Sequence, residues 1–342
     1  MQAFPLVRVR GTARQMGIQH GEQAASLIDC YLRWIEKSTA VDRDTLGQRA
    51  RAFLPFIEAL NPLLLDEIWG LAEGASISFE HALLCQVRGE ATRAPLNEGC
   101  TAFALTRSAT IDGHAIAGQN QDLPPEFSDL GIVLHIEPTD GRPRALTFTF
   151  AGQLGYMGTN EYGVSHFANG LADYEWKLGL PHYPLKRTLF EQRDVAACLE
   201  LVKKHHMCSA ANMVFCDGDD DIADVEIRPE GIALFEDNHA DKRLHTNHYI
   251  TECFAHFETH ETADSVPRIR RIRQLVSEHW GQLDVESIKE ILADHEGDPG
   301  AICRHGAGGT HSICGYIAEP SRGRLHVRRG HGCTGTWTAY EV

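Results

Sequence analysis

The stretch Asn97-Glu98-Gly99-Cys100-Thr101-Ala102-Phe103-Ala104-Leu105-Thr106 decides how the chain is read, because the texture of the sequence changes there. Upstream, after a short strand at 5–10, apolar residues recur at helical spacing over 15–34 and 49–59, and 63–73 reads as a third helix. Ser76-Ile77-Ser78-Phe79-Glu80 offers a serine N-cap to a fourth helix that runs through 82–87 toward Arg93. Downstream, strands dominate. Those at 101–106 and 114–119 flank Asp112-Gly113, a strong hairpin pair, and those at 131–137 and 144–150 flank Pro138-Thr139-Asp140-Gly141. Two helices fall near 186–204, and strands return at 211–216, 221–228, 231–236 and 243–248. Helices at 268–279 and 285–293 then precede strands at 311–318 and 324–329, joined by a turn at 319–323. Hairpins interleaved with paired helices predict the α+β class with antiparallel sheets, behind a helical prelude.

Composition narrows the function classes. The 342 residues, 43% hydrophobic and 23% charged, can bury a substantial core. With 47 acidic against 32 basic residues the formal net charge is −15, a field that repels nucleic acid and anionic membrane. The N-terminal residues lack the charge order and apolar run of a secretory signal, and no stretch approaches the roughly 18 apolar residues of a membrane span, so a cytoplasmic location is expected. The ten cysteines are scattered without a CxxC pair, which favours reduced thiols over a disulfide framework.

The Gly99-Cys100 pair carries a specific chemistry. Attack of a thiol on the preceding carbonyl turns an amide into a thioester, and a glycine at that carbonyl leaves room for the tetrahedral intermediate and the backbone bend. Water then releases a cysteine whose own α-amino group, with a reference pKa of about 8, lies beside its thiol as general base. Taken alone, Gly-Cys is better read as a buried strand cysteine behind a turn glycine.

A series of further strings in fixed order resembles the acyl-coenzyme A:6-aminopenicillanic acid acyltransferase family of N-terminal-nucleophile hydrolases, itself more distantly similar to bile salt hydrolases and penicillin V acylases. They are Gly11-Thr12-Ala13-Arg14-Gln15-Met16-Gly17-Ile18-Gln19-His20-Gly21, Asp66-Glu67-Ile68-Trp69-Gly70-Leu71-Ala72-Glu73-Gly74-Ala75 and Ile77-Ser78-Phe79-Glu80 in the prelude. Gly99-Cys100-Thr101, Gly118-Gln119-Asn120-Gln121-Asp122, Thr159-Asn160-Glu161-Tyr162-Gly163-Val164, His245-Thr246-Asn247-His248 and Ile302-Cys303-Arg304-His305 follow. The resemblance implies a four-layer αββα sandwich with Cys100 opening an inner strand. It implies self-cleavage at Gly99-Cys100 into a small chain of residues 1–99 and a large chain of residues 100–342 that stay associated. It also implies roles: Cys100 as nucleophile, Asp122 holding the new α-amino group, and Asn247 aiming its side-chain amide at the developing oxyanion. A small amide or acyl donor is the implied substrate, with no cofactor. Two departures stand out. Gln121 occupies a position that is often tryptophan, which makes a pocket wall polar. Where some relatives place an arginine near the site, this chain reads Gly308-Gly309-Thr310-His311-Ser312, so Thr310 and Ser312 are candidate hydroxyl donors or ordinary strand residues. Asn160 and Asn169 are expected to be structural neighbours of the site, and Tyr156, Phe167 and Trp176 to be pocket lining or core.

Rival readings are weaker. His239, His245 and His248, or His305, His311 and His331, could be drawn as metal clusters, but no HExxH or paired CxxC accompanies the 19 histidines, so no metal site is expected. The glycines at 306–309 lack the lysine and spacing of a phosphate loop. A binding protein that has kept the fold and at most processes itself is the alternative to an enzyme. Hydrolysis and acyl transfer share one thioester and are not separable in sequence.

Overall fold

The computed structural model describes residues 2–93, 99–171, 176–258, 264–306 and 310–342. The prelude begins with strand β1 (Leu6–Gly11) and the long helix α1 (Ala13–Thr39). A reciprocal capping box starts α1: Thr12 Oγ1 accepts from the Gln15 amide, and Gln15 Oε1 accepts from the Thr12 amide at 3.0 Å. The helix expected over 49–59 is two, α2 (Arg43–Ala50) and α3 (Leu54–Leu60), joined by a 3-10 turn. Pro55, in the first turn of α3, has no N–H to continue the earlier ladder. Next come α4 (Leu63–Ala75), α5 (Phe79–Gln86) and α6 (Arg88–Thr92). Ser78 caps α5, whereas Ser76 ends α4 in the left-handed region at φ 54°.

The body contributes β2 (Gly99–Leu105), β3 (Ile116–Leu123), β4 (Gly131–Pro138), β5 (Ala145–Phe150), β6 (Met157–Asn160) and β7 (Ser165–Gly170). Helices α7 (His182–Leu189) and α8 (Val195–Lys204) lead to β8 (Ala211–Cys216), β9 (Ile222–Arg228), β10 (Gly231–Leu234) and β11 (Lys242–His245). The chain closes with α9 (Ser265–Glu278), α10 (Val285–Ile291), β12 (His311–Glu319), β13 (Arg324–Arg329) and β14 (Thr336–Glu341).

Two sheets stack. One runs β1-β4-β5-β6-β7-β8-β9-β10 and the other β11-β2-β3-β12-β13-β14. Every pairing is antiparallel except β1 with β4, so the prelude strand enters as a parallel edge. Alternation along β2 divides the core. Ala102 and Ala104 join the cluster between the sheets, while Phe103 and Leu105 meet Ile269, Ile272 and Val276 of α9 and Ile288 and Ile291 of α10. The prelude helices and α7 and α8 cover the outer face of the larger sheet through the same cluster that holds Met16, Ile28, Ile68, Phe148 and Leu189. The order of layers is therefore helix, sheet, sheet, helix. Residues 2–93 form no separate body, since they supply one edge strand and one covering layer of a shared core. Among the described residues no helix is long and apolar enough to cross a membrane.

Helices α1 and α4 touch through glycine. A Cβ added at Gly17, Gly70 or Gly74 would overlap the carbonyl oxygens of Glu67, Arg14 and Ile18 respectively. Two of the sequence strings thus encode helix packing. A buried Glu67–Arg187 ion pair at 3.1 Å ties α4 to α7. Because backbone carbonyls have no rotamer to retreat into, Gly70→Ala should lower stability by about 1–3 kcal/mol, although alanine is the better helix former. Urea unfolding at parental or higher midpoint would contradict this packing.

Candidate active site

Cys100 is fully buried as the second residue of β2. In register it faces Gln121 of β3, and Gly99 faces Asp122. Strand β3 continues four residues past the expected end at 119, so Asp122 lies on a strand rather than in the loop before Pro124.

The sulfur meets an amide. Gln121 Oε1 accepts from Gln119 Nε2 at 3.1 Å and from the Tyr156 hydroxyl at 3.3 Å, which turns Gln121 Nε2 toward Cys100 Sγ at 3.2 Å. Gln119 in turn bonds the Ala168 backbone of β7 in both directions, at 2.9 and 3.0 Å, so the two sheets are stitched together beside the nucleophile candidate. The departure at Gln121 therefore puts a hydrogen-bond donor, rather than an aromatic wall, on the thiol.

The backbone of Cys100 is held from another side. Its N–H donates to Asn247 Oδ1 at 2.7 Å. Arg268 Nη2 donates to the same oxygen at 2.9 Å, and Arg268 Nη1 reaches the Cys100 carbonyl and, at 3.1 Å, Thr101 Oγ1. With two donors fixing Oδ1, Asn247 Nδ2 faces the Gly170 carbonyl at 2.9 Å rather than the thiol. Asn247 follows β11 on a turn pinned by neighbours. Its amide donates to Ser265 Oγ at 2.7 Å, His248 Nδ1 bonds the same hydroxyl at 2.7 Å, and His245 Nε2 lies 3.1 Å from Glu226 Oε1. Burial opposes charging of His245, but the Asp224 and Glu226 carboxylates outweigh it and raise its pKa.

Asp122 lies on the Gly99 side of the strand. Oδ1 accepts from Ser312 Oγ at 2.6 Å; Oδ2 has no hydrogen-bond partner among the described residues, with Arg304 Nη1 4.0 Å away. Burial raises the Asp122 pKa against the opposing pull of Arg268, the Ser312 hydrogen bond and Arg304. A side chain at residue 99 would be crowded, since its Cβ would lie 2.5 Å from Arg304 Nη1 and 3.1 Å from Asp122 Oδ2. Arg304 is itself clamped by Asp264 at 2.5 Å.

Other expected residues fall elsewhere. Asn160 closes the β6–β7 turn, accepting from the Tyr162 and Val164 amides at 3.0 and 2.9 Å. Asn169 donates to Asn212 Oδ1 at 2.8 Å. Phe167 stacks on Tyr316 in the core, and Trp176 lies against Gly89 of α6. Gly308 and Gly309 lie outside the described residues. Ser312 is the hydroxyl donor of the pair, whereas Thr310 is buried with no partner for its hydroxyl among the described residues. Arg268 was missed in sequence, and Arg304 was quoted there without a role. Arg268 shares the buried stripe of α9 with Ile269, Ile272 and Val276, and an arginine on an apolar stripe is the signal that could have found it.

The sequence model of the acyl-coenzyme A:6-aminopenicillanic acid acyl-transferase family matches residues 109–331, more than half of the chain. The chain belongs to this family. The matched span contains Asp122, Asn247, Arg268 and Arg304 and begins after Cys100. A variant of conjugated bile acid hydrolase from Clostridium perfringens is similar in structure, with TM-score 0.50 and 14% identity over 71% of this chain and 97% of that one. Penicillin V acylase from Agrobacterium tumefaciens aligns with TM-score 0.47 and 11% identity over 71% and 86%. No curated protein matches in sequence. The family is thus one of acyl-transferases, and the fold is the N-terminal-nucleophile sandwich shared with the bile acid hydrolase structure.

The amide facing Sγ yields a prediction. Gln121→Leu keeps the volume but removes an N–H donor whose bond to a thiolate is worth about 1.5 kcal/mol or more, so turnover near neutral pH should fall roughly tenfold or further. The loss should shrink as pH rises, because alkali ionises the thiol unaided. A pH-independent loss would point to packing instead.

Proposed function

We propose that the chain cuts itself between Gly99 and Cys100 and then works as a cysteine amidohydrolase or acyltransferase on a small N-acyl or peptide-like substrate. The observation that carries this reading is the grip on the Cys100 nitrogen. The atom that becomes the free α-amine already rests 2.7 Å from Asn247 Oδ1, while the thiol of the same residue faces an N–H donor.

In the first step Cys100 Sγ attacks the Gly99 carbonyl, the C–N bond breaks, and the nitrogen leaves as an amine once it gains a proton. Water then hydrolyses the thioester, giving a Gly99 carboxylate and a free Cys100 thiol. Departure of Gly99 clears the space beside Asp122 Oδ2, so that carboxylate is available to hold and orient the new α-amino group. During turnover the α-amino group takes the thiol proton as sulfur attacks the acyl carbonyl, and returns it to the leaving amine or thiol. Water or an amine then takes the acyl group from Cys100. Arg268 and Asn247 position Cys100 throughout. The shared core holds residues 1–99 to the body after the cut.

Cys100→Ala should leave one full-length chain on denaturing gels. Matured protein offered a panel of N-acyl amides and acyl thioesters, then acid-quenched, should carry an acyl adduct on the fragment that starts at Cys100. Asn247→Ala and Asp122→Asn, assayed only as fully cut protein, should each turn over substrate more slowly than the parent. Parental turnover in both variants would remove these two residues from the mechanism.

A further inference from the structure

Away from Cys100, four residues distant in sequence converge. His295 follows α10, Cys303 and His305 flank Arg304, and Cys333 lies in the turn between β13 and β14; one ligand-type atom from each falls within 4.8 Å of all the others. His305 Nε2 lies 2.9 Å from His295 Nε2, 3.4 Å from Cys333 Sγ and 3.6 Å from Cys303 Sγ. With metal–nitrogen bonds of about 2.0 Å and metal–sulfur bonds of about 2.3 Å, a tetrahedral shell has edges of about 3.3 Å between nitrogens and about 3.5 Å between nitrogen and sulfur. The three spacings from His305 lie within a few tenths of an ångström of these edges, and the remaining ones are no longer than 4.8 Å. Both cysteines are free thiols.

We propose that His295, Cys303, His305 and Cys333 bind one zinc ion in a Cys₂His₂ site. Two thiolates with two imidazoles in a tetrahedral arrangement suit zinc rather than the oxygen-seeking magnesium or calcium. Four protein ligands fill the shell, so the site is structural and holds no reacting water. Binding releases two thiol protons to solvent, leaving the ion and its two thiolates neutral together. The ion clips the segment after α10 to the β13–β14 turn. Arg304, between two of the ligands, thereby keeps its guanidinium beside Gly99 and Asp122. Around the ligands, His331 stacks on His305 at 4.2 Å and bonds the Arg304 carbonyl at 2.9 Å. The Cys303 amide donates to the Asp294 carbonyl at 2.9 Å.

The full chain, purified without a histidine tag from zinc-supplemented culture and dialysed, tests this by elemental mass spectrometry. About one zinc per chain is expected, falling to a tenth or less in Cys333→Ser and in His295→Ala. Cys253→Ser, at an exposed cysteine outside the cluster, should keep its zinc. Cys333 and His295 are exposed, so neither substitution disturbs the core, and unchanged circular dichroism verifies folding. Cobalt added to metal-free protein should give the intense visible bands of a tetrahedral sulfur–nitrogen site. A metal-free chain that takes up neither ion, zinc retained in both cluster variants, or a Cys303–Cys333 disulfide in its place would each overturn the proposal.

Discussion

Arg268 brings a full charge into the protein interior, where each guanidinium N–H left without an acceptor costs free energy. Its two terminal nitrogens take their oxygens from the Cys100 carbonyl, Thr101 and Asn247, while Nε has no partner among the described residues, so the cation ties the strand, the asparagine turn and helix α9 to one another. Each hydrogen bond to such a buried cation is worth about 1.5–3 kcal/mol, which gives the arrangement little freedom to drift. The Cys100 nitrogen and carbonyl are consequently held, while its thiol projects to the opposite face, toward Gln121.

Precision at that residue depends on layers some distance away. The glycine contact of α1 with α4, the Glu67–Arg187 pair and the parallel edge strand β1 bind the prelude to the larger sheet. The Gln119 amide then bonds that sheet to β3. Residues on both sides of the proposed scissile bond thus belong to one packed body. A break in the backbone after Gly99 severs one covalent link and leaves the buried apolar surface in place.

Much of the fold was legible because period and turn chemistry agreed locally, as in the long amphipathic α1 and the strands on either side of residue 141. Strands β6 and β7 were not. Met157–Asn160 and Ser165–Gly170 are rich in glycine, asparagine and serine and are buried on both faces, so neither propensity nor alternation marks them. Edge strand β14 is largely exposed, and the parallel pairing of β1 is a long-range choice that local sequence does not encode. At the site, the ordered strings led to Asp122 and Asn247, and the structure brings both to the Gly99-Cys100 junction. Arg268 escaped because an arginine in a helix reads as a solvated residue. The His295, Cys303, His305 and Cys333 set escaped because its spacings follow no regular ligand pattern and only the return of the β13–β14 turn closes it.

The central claim is that Cys100 becomes an N-terminus. Intact mass and N-terminal sequencing of the freshly purified parental chain, under denaturing conditions, test it most directly. The account predicts two fragments, one ending at Gly99 and the other beginning Cys100-Thr101-Ala102 with a free α-amine. A single uncut chain that nevertheless turns over substrate, or a cut at any other bond, would contradict it.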